Sequence, residues 1–172
     1  MALGWNIPIG GALLSGDILS QDTSSEGNVL SGVVNFQHWF TWRDAPASIS
    51  LEYFHNGFGF KRTPTSPLDF INNPELTRRI QDGELYTLGR DYSAVGLSFM
   101  PHPLWQSQIS HILNLNDHSG LLYWQNTLDS SENTRLNVTF LWPLGKDGRE
   151  YTGPLDEVKM QLQVQVQFAW YF

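Results

Sequence analysis

From Val158 to Phe172 the chain alternates with a period of two. Val158, Met160, Leu162, Val164, Val166, Phe168, Trp170 and Phe172 fall on one face of a strand, and Lys159, Gln161, Gln163, Gln165, Gln167 and Tyr171 on the other. A strand of roughly 15 residues is far longer than the ~5–6 usual in soluble sheets. It suits a tilted strand that crosses hydrocarbon in ~9–11 residues, apolar toward lipid and polar toward a lumen.

The same period recurs upstream, and turn signals divide the chain into about eight strand candidates. The first spans about 3–19, with Trp5, Ile7 and Ile9 on one face and Gly10-Gly11 read as a kink. The second spans about 31–42, where Val34, Phe36, Phe40 and Trp42 share a face that His38 interrupts. The third, about 48–58, sets Ile49, Leu51 and Tyr53 against Ser48, Ser50 and Glu52. Four more follow at about 92–100, 104–116, 121–128 and 134–142, before the final strand. Residues 60–90 break the pattern with Pro64, Pro67 and Pro74, and Pro74 to Ile80 reads as a short helix with proline in its first turn.

The connections carry an orientation. Those at 43–46, 101–103 and 129–133 are short, while those around 20–28, 60–90 and 145–156 are long and only 117–120 on that side is tight. Barrel turns are short on the periplasmic side and longer outside. In a barrel an even strand count puts both termini on one side, and the 60–90 loop is expected on the other, outside.

Composition changes the picture in three places. Hydrophobic residues make up 41% and no run of 18 apolar residues occurs, a combination that hides barrels because only alternate residues need be apolar. Aromatic residues reach 13%, with 7 Trp, which suits interfacial girdles at Trp5, Trp42, Trp105, Trp142 and Trp170. A net charge of −7 without a basic run argues against nucleic-acid binding, and the absence of Cys is compatible with an oxidising periplasm. The first residues read as strand rather than as a signal peptide, so the chain is expected to be a mature form or a piece of a longer precursor.

The ending Trp170-Tyr171-Phe172 resembles the last strand of bacterial outer-membrane β-barrels. That resemblance implies an insertion signal formed by Val164, Val166, Phe168, Trp170 and Phe172, read by the barrel-assembly machinery. The phrases at 52–59, 83–92 and 114–122 are similar to the C-terminal portion of larger proteobacterial outer-membrane barrels of uncharacterised function. The similarity covers residues 50–172 and carries no activity or catalytic residues with it.

The expected fold is all-β: an antiparallel up-and-down transmembrane barrel in a single domain, 1–172, either closed and small or the C-terminal part of a wider one. Glu52, Arg135, Gln161, Gln163, Gln165 and Gln167 face the lumen, with Lys159. The expected function is a passive, porin-like channel or a structural protein of the outer membrane. Its partners are membrane lipids and lipopolysaccharide, with a small solute through the lumen. No cofactor and no metal site is expected, since no ligand spacing stands out. Two alternatives stay open. One is a lipid-modifying barrel enzyme, for which Glu52-Tyr53-Phe54-His55-Asn56-Gly57 is similar to the His-x-Ser-Asn-Gly phrase of the phospholipase barrel but lacks its serine. Ser107 and His111 are too far apart along a strand to form a dyad. The other is a soluble β-sandwich binding module. In the 60–90 loop, Asp69, Glu75, Asp82 and Glu84 are candidates for divalent cations, and Arg78 and Arg79 for lipopolysaccharide phosphate.

Overall fold

Strands joined in chain order build one antiparallel sheet of nine, β1-β2-β3-β4-β5-β6-β7-β8-β9, in a computed structural model that describes residues 1–23, 27–131, 133–153 and 160–171. They are β1 (Ala2–Ile9), β2 (Ala12–Thr23), β3 (Gly27–Trp42), β4 (Ala45–His55), β5 (Asp91–His102), β6 (Trp105–Asn114), β7 (Gly120–Ser131), β8 (Thr134–Leu144) and β9 (Gln163–Trp170). All eight pairings are antiparallel, and among the described residues β1 pairs only with β2 and β9 only with β8, so the sheet is open.

Nine strands replace the expected eight because Gly10-Gly11 is a turn and not a kink. Ile9 pairs with Ala12, leaving only the two glycines to reverse the chain, and Gly10 sits at φ +57. That left-handed conformation is the one two-residue hairpins require. Arg43 and Asp44 make the same reversal between β3 and β4 with φ of 49 and 62. The odd count sets the start of β1 and the end of β9 at opposite ends of the sheet, against the expectation of one side.

Other boundaries moved as well. The presumed loop at 20–28 is largely strand, since Ser20 to Thr23 pair with Leu30 to Gly27. The last strand is eight residues long, beginning at Gln163. Gln161 therefore precedes it, and Val158, Lys159 and Phe172 lie outside the described residues.

Paired residues in a sheet share a face, so the registers sort every side chain. Val164, Val166 and Phe168 pair with Phe140, Val138 and Leu136. Those lead through Trp124, Ile109, Leu97, Ile49, Phe36 and Leu14 to Ile7. One face is thus apolar across all nine strands. It stands in the open: Val166 and Phe168 are each 65% exposed, and Trp142 is 54% exposed. Packing on this face is local, as where the Trp5 indole lies over Gly16 and would collide with a side chain there.

The conventional core is small and sits in the segment between β4 and β5. Helix α1 (Pro67–Ile71) opens with a capping box in which Ser66 and Asp69 exchange hydrogen bonds. Helix α2 (Pro74–Gln81), close to the expected span, is capped by the Asn73 side chain accepting from Leu76 N–H at 3.3 Å. Leu76, fully buried, packs with Phe58 and Val29, and Phe60, Ile80 and Leu85 close around them. No helix among the described residues is long and apolar enough to cross a membrane, which says nothing about strands.

Truncating the centre of that cluster, Leu76→Ala, should cost about 2–5 kcal/mol of local stability. Limited proteolysis should then cut the 60–90 segment faster than in the wild type while strand content by circular dichroism holds. Equal cutting rates would show that the helices do not depend on this cluster.

Candidate functional site

The second face of the sheet is polar, and it ends in a cluster of buried hydrogen bonds. At the end where β4 leads into the helical segment, β6 into Leu115–Ser119 and β8 toward Glu150, loops fold onto this face; the opposite end carries the short turns. The polarity follows from the same alternation, with Gln163, Gln165 and Gln167 paired to Leu141, Thr139 and Asn137. Gln106, Gln108, Gln125, Asn35 and Gln37 continue it.

Within the loop-end cluster Glu150 is central. A 3₁₀ turn, Glu150–Thr152, carries its carboxylate onto β5 and β6. There Oε1 accepts from Leu88 N–H at 2.8 Å, and Oε2 accepts from the Tyr92 hydroxyl at 2.6 Å and the Asn114 amide at 2.5 Å. Tyr92 in turn accepts from Gly89 N–H. Asp117 supports the turn from the other side. Its Oδ2 accepts from Glu150 N–H at 2.9 Å and the Thr63 hydroxyl at 3.2 Å, and its Oδ1 accepts from Ser119 N–H and hydroxyl at 2.8 and 2.6 Å. Arg149 donates to Thr63 Oγ1 at 3.2 Å. Three connections, after β4, β6 and β8, are thereby tied together over one end of the polar face.

The two carboxyls are driven in opposite directions. Burial pushes Glu150 up from its ordinary value, and the three donors only partly offset it. Burial would raise Asp117 too, but the Glu150 N–H and the Ser119 and Thr63 donors outweigh it and hold Asp117 below its ordinary value. The neighbouring Tyr151 hydroxyl is pushed up by burial and by both carboxylates.

A second arrangement lies at the same end. His55 Nδ1 lies 2.7 Å from Asp91 Oδ1 across the β4–β5 pair. The Tyr53 hydroxyl donates to that same oxygen at 2.7 Å, and the Asn116 amide donates to Asp91 Oδ2 at 3.2 Å. His55 is on the apolar face and rims a recess of about 210 Å³ lined by Trp5, Ile18, Leu30, Gly32 and Val34. A third feature, a cleft of about 670 Å³, runs along β1–β3 beneath α2, lined by Asp17, Leu19, Val33, Phe58, Arg79 and Leu85 among others. Its Arg79 guanidinium lies 4.0 Å from the centre of the Phe58 ring and bonds Glu84 at 2.8 Å.

The residues singled out from the sequence divide between the faces as the alternation requires. Val164, Val166, Phe168 and Trp170 share the exposed apolar face, and so do Trp5, Trp42, Trp105 and Trp142. Trp42 and Trp105 sit by the short turns, whereas Trp142 is near the loops. Glu52, Arg135, Gln163, Gln165 and Gln167 share the polar face. Arg135 is held by Asp129 through two bonds of 2.6 and 3.1 Å. In the loop, Asp69 caps a helix and Glu75, Asp82 and Glu84 bind Arg78 and Arg79. Among the described residues no group of three His, Asp or Glu is placed to hold a metal ion. Sequence reasoning missed Glu150, Asp117 and the His55–Asp91 pair. The polar run Asn114-Leu115-Asn116-Asp117 was a signal for part of the cluster, but nothing in the period of two pointed to Glu150.

No protein-family model, curated protein or solved structure matches this chain.

The opposed carboxyls predict a pH signature. Asp117, with its lowered value, stabilises the loop cluster above the ordinary carboxylate range, and that contribution is lost as pH falls through the lowered value. Glu150, with its raised value, keeps a proton that the unfolded segment would release, so its contribution is fullest in acid and is lost as pH rises through the raised value. Exchange protection of the Leu88 and Ser119 amides, corrected for intrinsic rates, should therefore peak near the ordinary carboxylate range. In Asp117→Asn the acid-side fall should vanish and the fall with rising pH should remain; an unchanged acid-side fall would assign it to another group.

Proposed function

We propose that this chain forms the whole or part of an integral β-barrel of the bacterial outer membrane, acting as a passive porin-like channel or a structural membrane protein. The observation that carries the reading is the continuous apolar face, exposed on all nine strands of one antiparallel sheet. A soluble sandwich would bury such a face against a second sheet, and no second sheet occurs among the described residues. Hydrocarbon would cover it, with lipids and lipopolysaccharide as its partners and the polar face toward a lumen. Two supports are independent of hydrophobicity. The turns after β1, β3 and β5 contain two residues each, while the helical segment and the Glu150 turn gather at the other end, as they do in barrels with short periplasmic turns. Trp42 and Trp105 near one end and Trp142 near the other suit two interfacial levels.

Refolding into lipid vesicles tests the face assignment. Val164→Arg would set a charge among acyl chains at about 2–4 kcal/mol, whereas Gln163→Arg would stay on the polar face at much smaller cost. Equal losses from the two variants would reject the reading.

One observation favours a second reading, a lipid-modifying enzyme. Asp91, fixed by Tyr53 and Asn116, orients His55 beside an apolar recess, which is the base-and-orienter half of a hydrolytic site. His55 Nε2 would take a proton from an attacking water, the acyl C–O bond would break, and the proton would pass to the departing alcohol oxygen. On this reading vesicles holding the inserted protein should release fatty acid, and His55→Gln should abolish the release. Intact lipid after prolonged incubation with the wild type would sink it.

A further inference from the structure

The polar face carries almost no positive charge. Among the described strand residues the one Lys or Arg is Arg135, and both of its bonds go to Asp129, which leaves the pair neutral. Two other acids share this face, Asp17 on β2 and Glu52 on β4. Glu52 accepts from the Asn35 amide at 3.4 Å, a neutral donor that leaves its charge in place. Asp17 is exposed in the wall of the 670 Å³ cleft. The registers put them near each other: Glu52 pairs with Asn35 and Asn35 with Ser15, one rung from Asp17. Strand spacing then separates the two acids by on the order of 10 Å.

The cations at the loop end lie outside the strands that carry these two acids. Arg78 and Arg79 are engaged by Glu75, Asp82 and Glu84. Arg90 donates to the carbonyl oxygens of Gly57 and Gly59 and keeps its charge, but it stands at the loop end, before β5 begins. Arg149 bonds Thr63, and Lys61 and Arg62 are exposed in the loop beyond the strands. The rest of the polar face mixes Gln, Asn, Ser and Thr, which solvate ions of either sign, with uncharged apolar residues such as Val33, Trp39 and Ile112. Two uncompensated carboxylates on a neutral, hydrogen-bonding wall give a potential of one sign, and such potentials concentrate counter-ions.

We propose that the polar face passes small cations in preference to anions, with Asp17 and Glu52 setting the preference. The proposal rests on the channel reading above and names the solute class for that lumen. No covalent step is involved, and the neutral amides alone would discriminate little.

Planar bilayers holding the refolded full chain under a potassium chloride gradient test it through the reversal potential. The wild type should show a potassium-to-chloride permeability ratio above one. Asp17→Asn combined with Glu52→Gln should lower that ratio about threefold or more, the Boltzmann factor of a potential near one kT. If the double variant does not insert, the single change Glu52→Lys supplies the second reading, since it should move the reversal potential toward chloride. Conductance without cation preference, or a preference unmoved by these changes, would overturn the assignment and leave the channel reading standing. Absence of wild-type conductance, with insertion verified by protease protection, would overturn both.

Discussion

The pleat of a β-strand sends successive side chains to opposite faces, and in this chain every strand is held to the same choice of face. A slip of one residue in any pairing would carry Trp124 or Phe140 to the polar side and Gln125 or Thr139 to the apolar one. Each large apolar side chain transferred out of water contributes about 1.5–3 kcal/mol, so a bilayer would penalise such a slip at every second residue of the strand. The hydrogen-bond ladder fixes neighbouring strands to each other, but it is indifferent to which face is which. The alternation supplies that information. The apolar face, the polar wall and the crowding of loops at one end all depend on it.

The loop end obeys a different constraint. Connections that fold over a sheet bring backbone N–H groups and carboxylates out of water, and each must find a partner or cost about 1–3 kcal/mol. Glu150 and Asp117 answer that need for one another's neighbourhoods. Asp117 accepts the Glu150 N–H, while Glu150 accepts Leu88 N–H and two side-chain donors rooted in β5 and β6. Burial opposes the ionisation of Glu150, and the Tyr92 hydroxyl, which can accept as well as donate, lets the carboxyl keep a proton within the same cluster. The cluster therefore holds three connections together through a group whose charge is costly, unlike the apolar packing around Leu76 that anchors α2.

Reading the sequence by its period of two identified most strands and the faces of the residues that the described strands contain, because that period is imposed locally by the pleat. It failed at Gly10-Gly11, where two flexible residues satisfy both a kink and a reversal and only the pairing of Ile9 with Ala12 decides. It failed again at Ser20–Thr23, whose polar side chains look like a loop but are committed to a ladder with β3. The α2 helix was legible from Pro74 and its amphipathic run, whereas α1 is one turn long and stands on the Ser66 cap and its exchange with Asp69. Glu150 and the His55–Asp91 pair join residues 58 to 62 and 36 positions apart, and no local pattern encodes such contacts.

What hydrocarbon would demand of this sheet is sharpest at its two edges. β1 and β9 both run from the loop end to the turn end, so a seam joining them directly would be parallel, with evenly spaced, slanted hydrogen bonds. Closure by antiparallel pairs alone needs an even number of strands, and hence a strand running the other way between these two. The edges are not equivalent. β1 contains Pro8, which has no N–H to give, while β9 from Gln163 to Trp170 has a full set of donors. Each unpaired group in lipid costs several kcal/mol, so β9 has the stronger need of a partner. A membrane barrel containing this sheet must therefore satisfy β9 first, and the direction of the strand that does so decides between a parallel seam and a wider antiparallel wall.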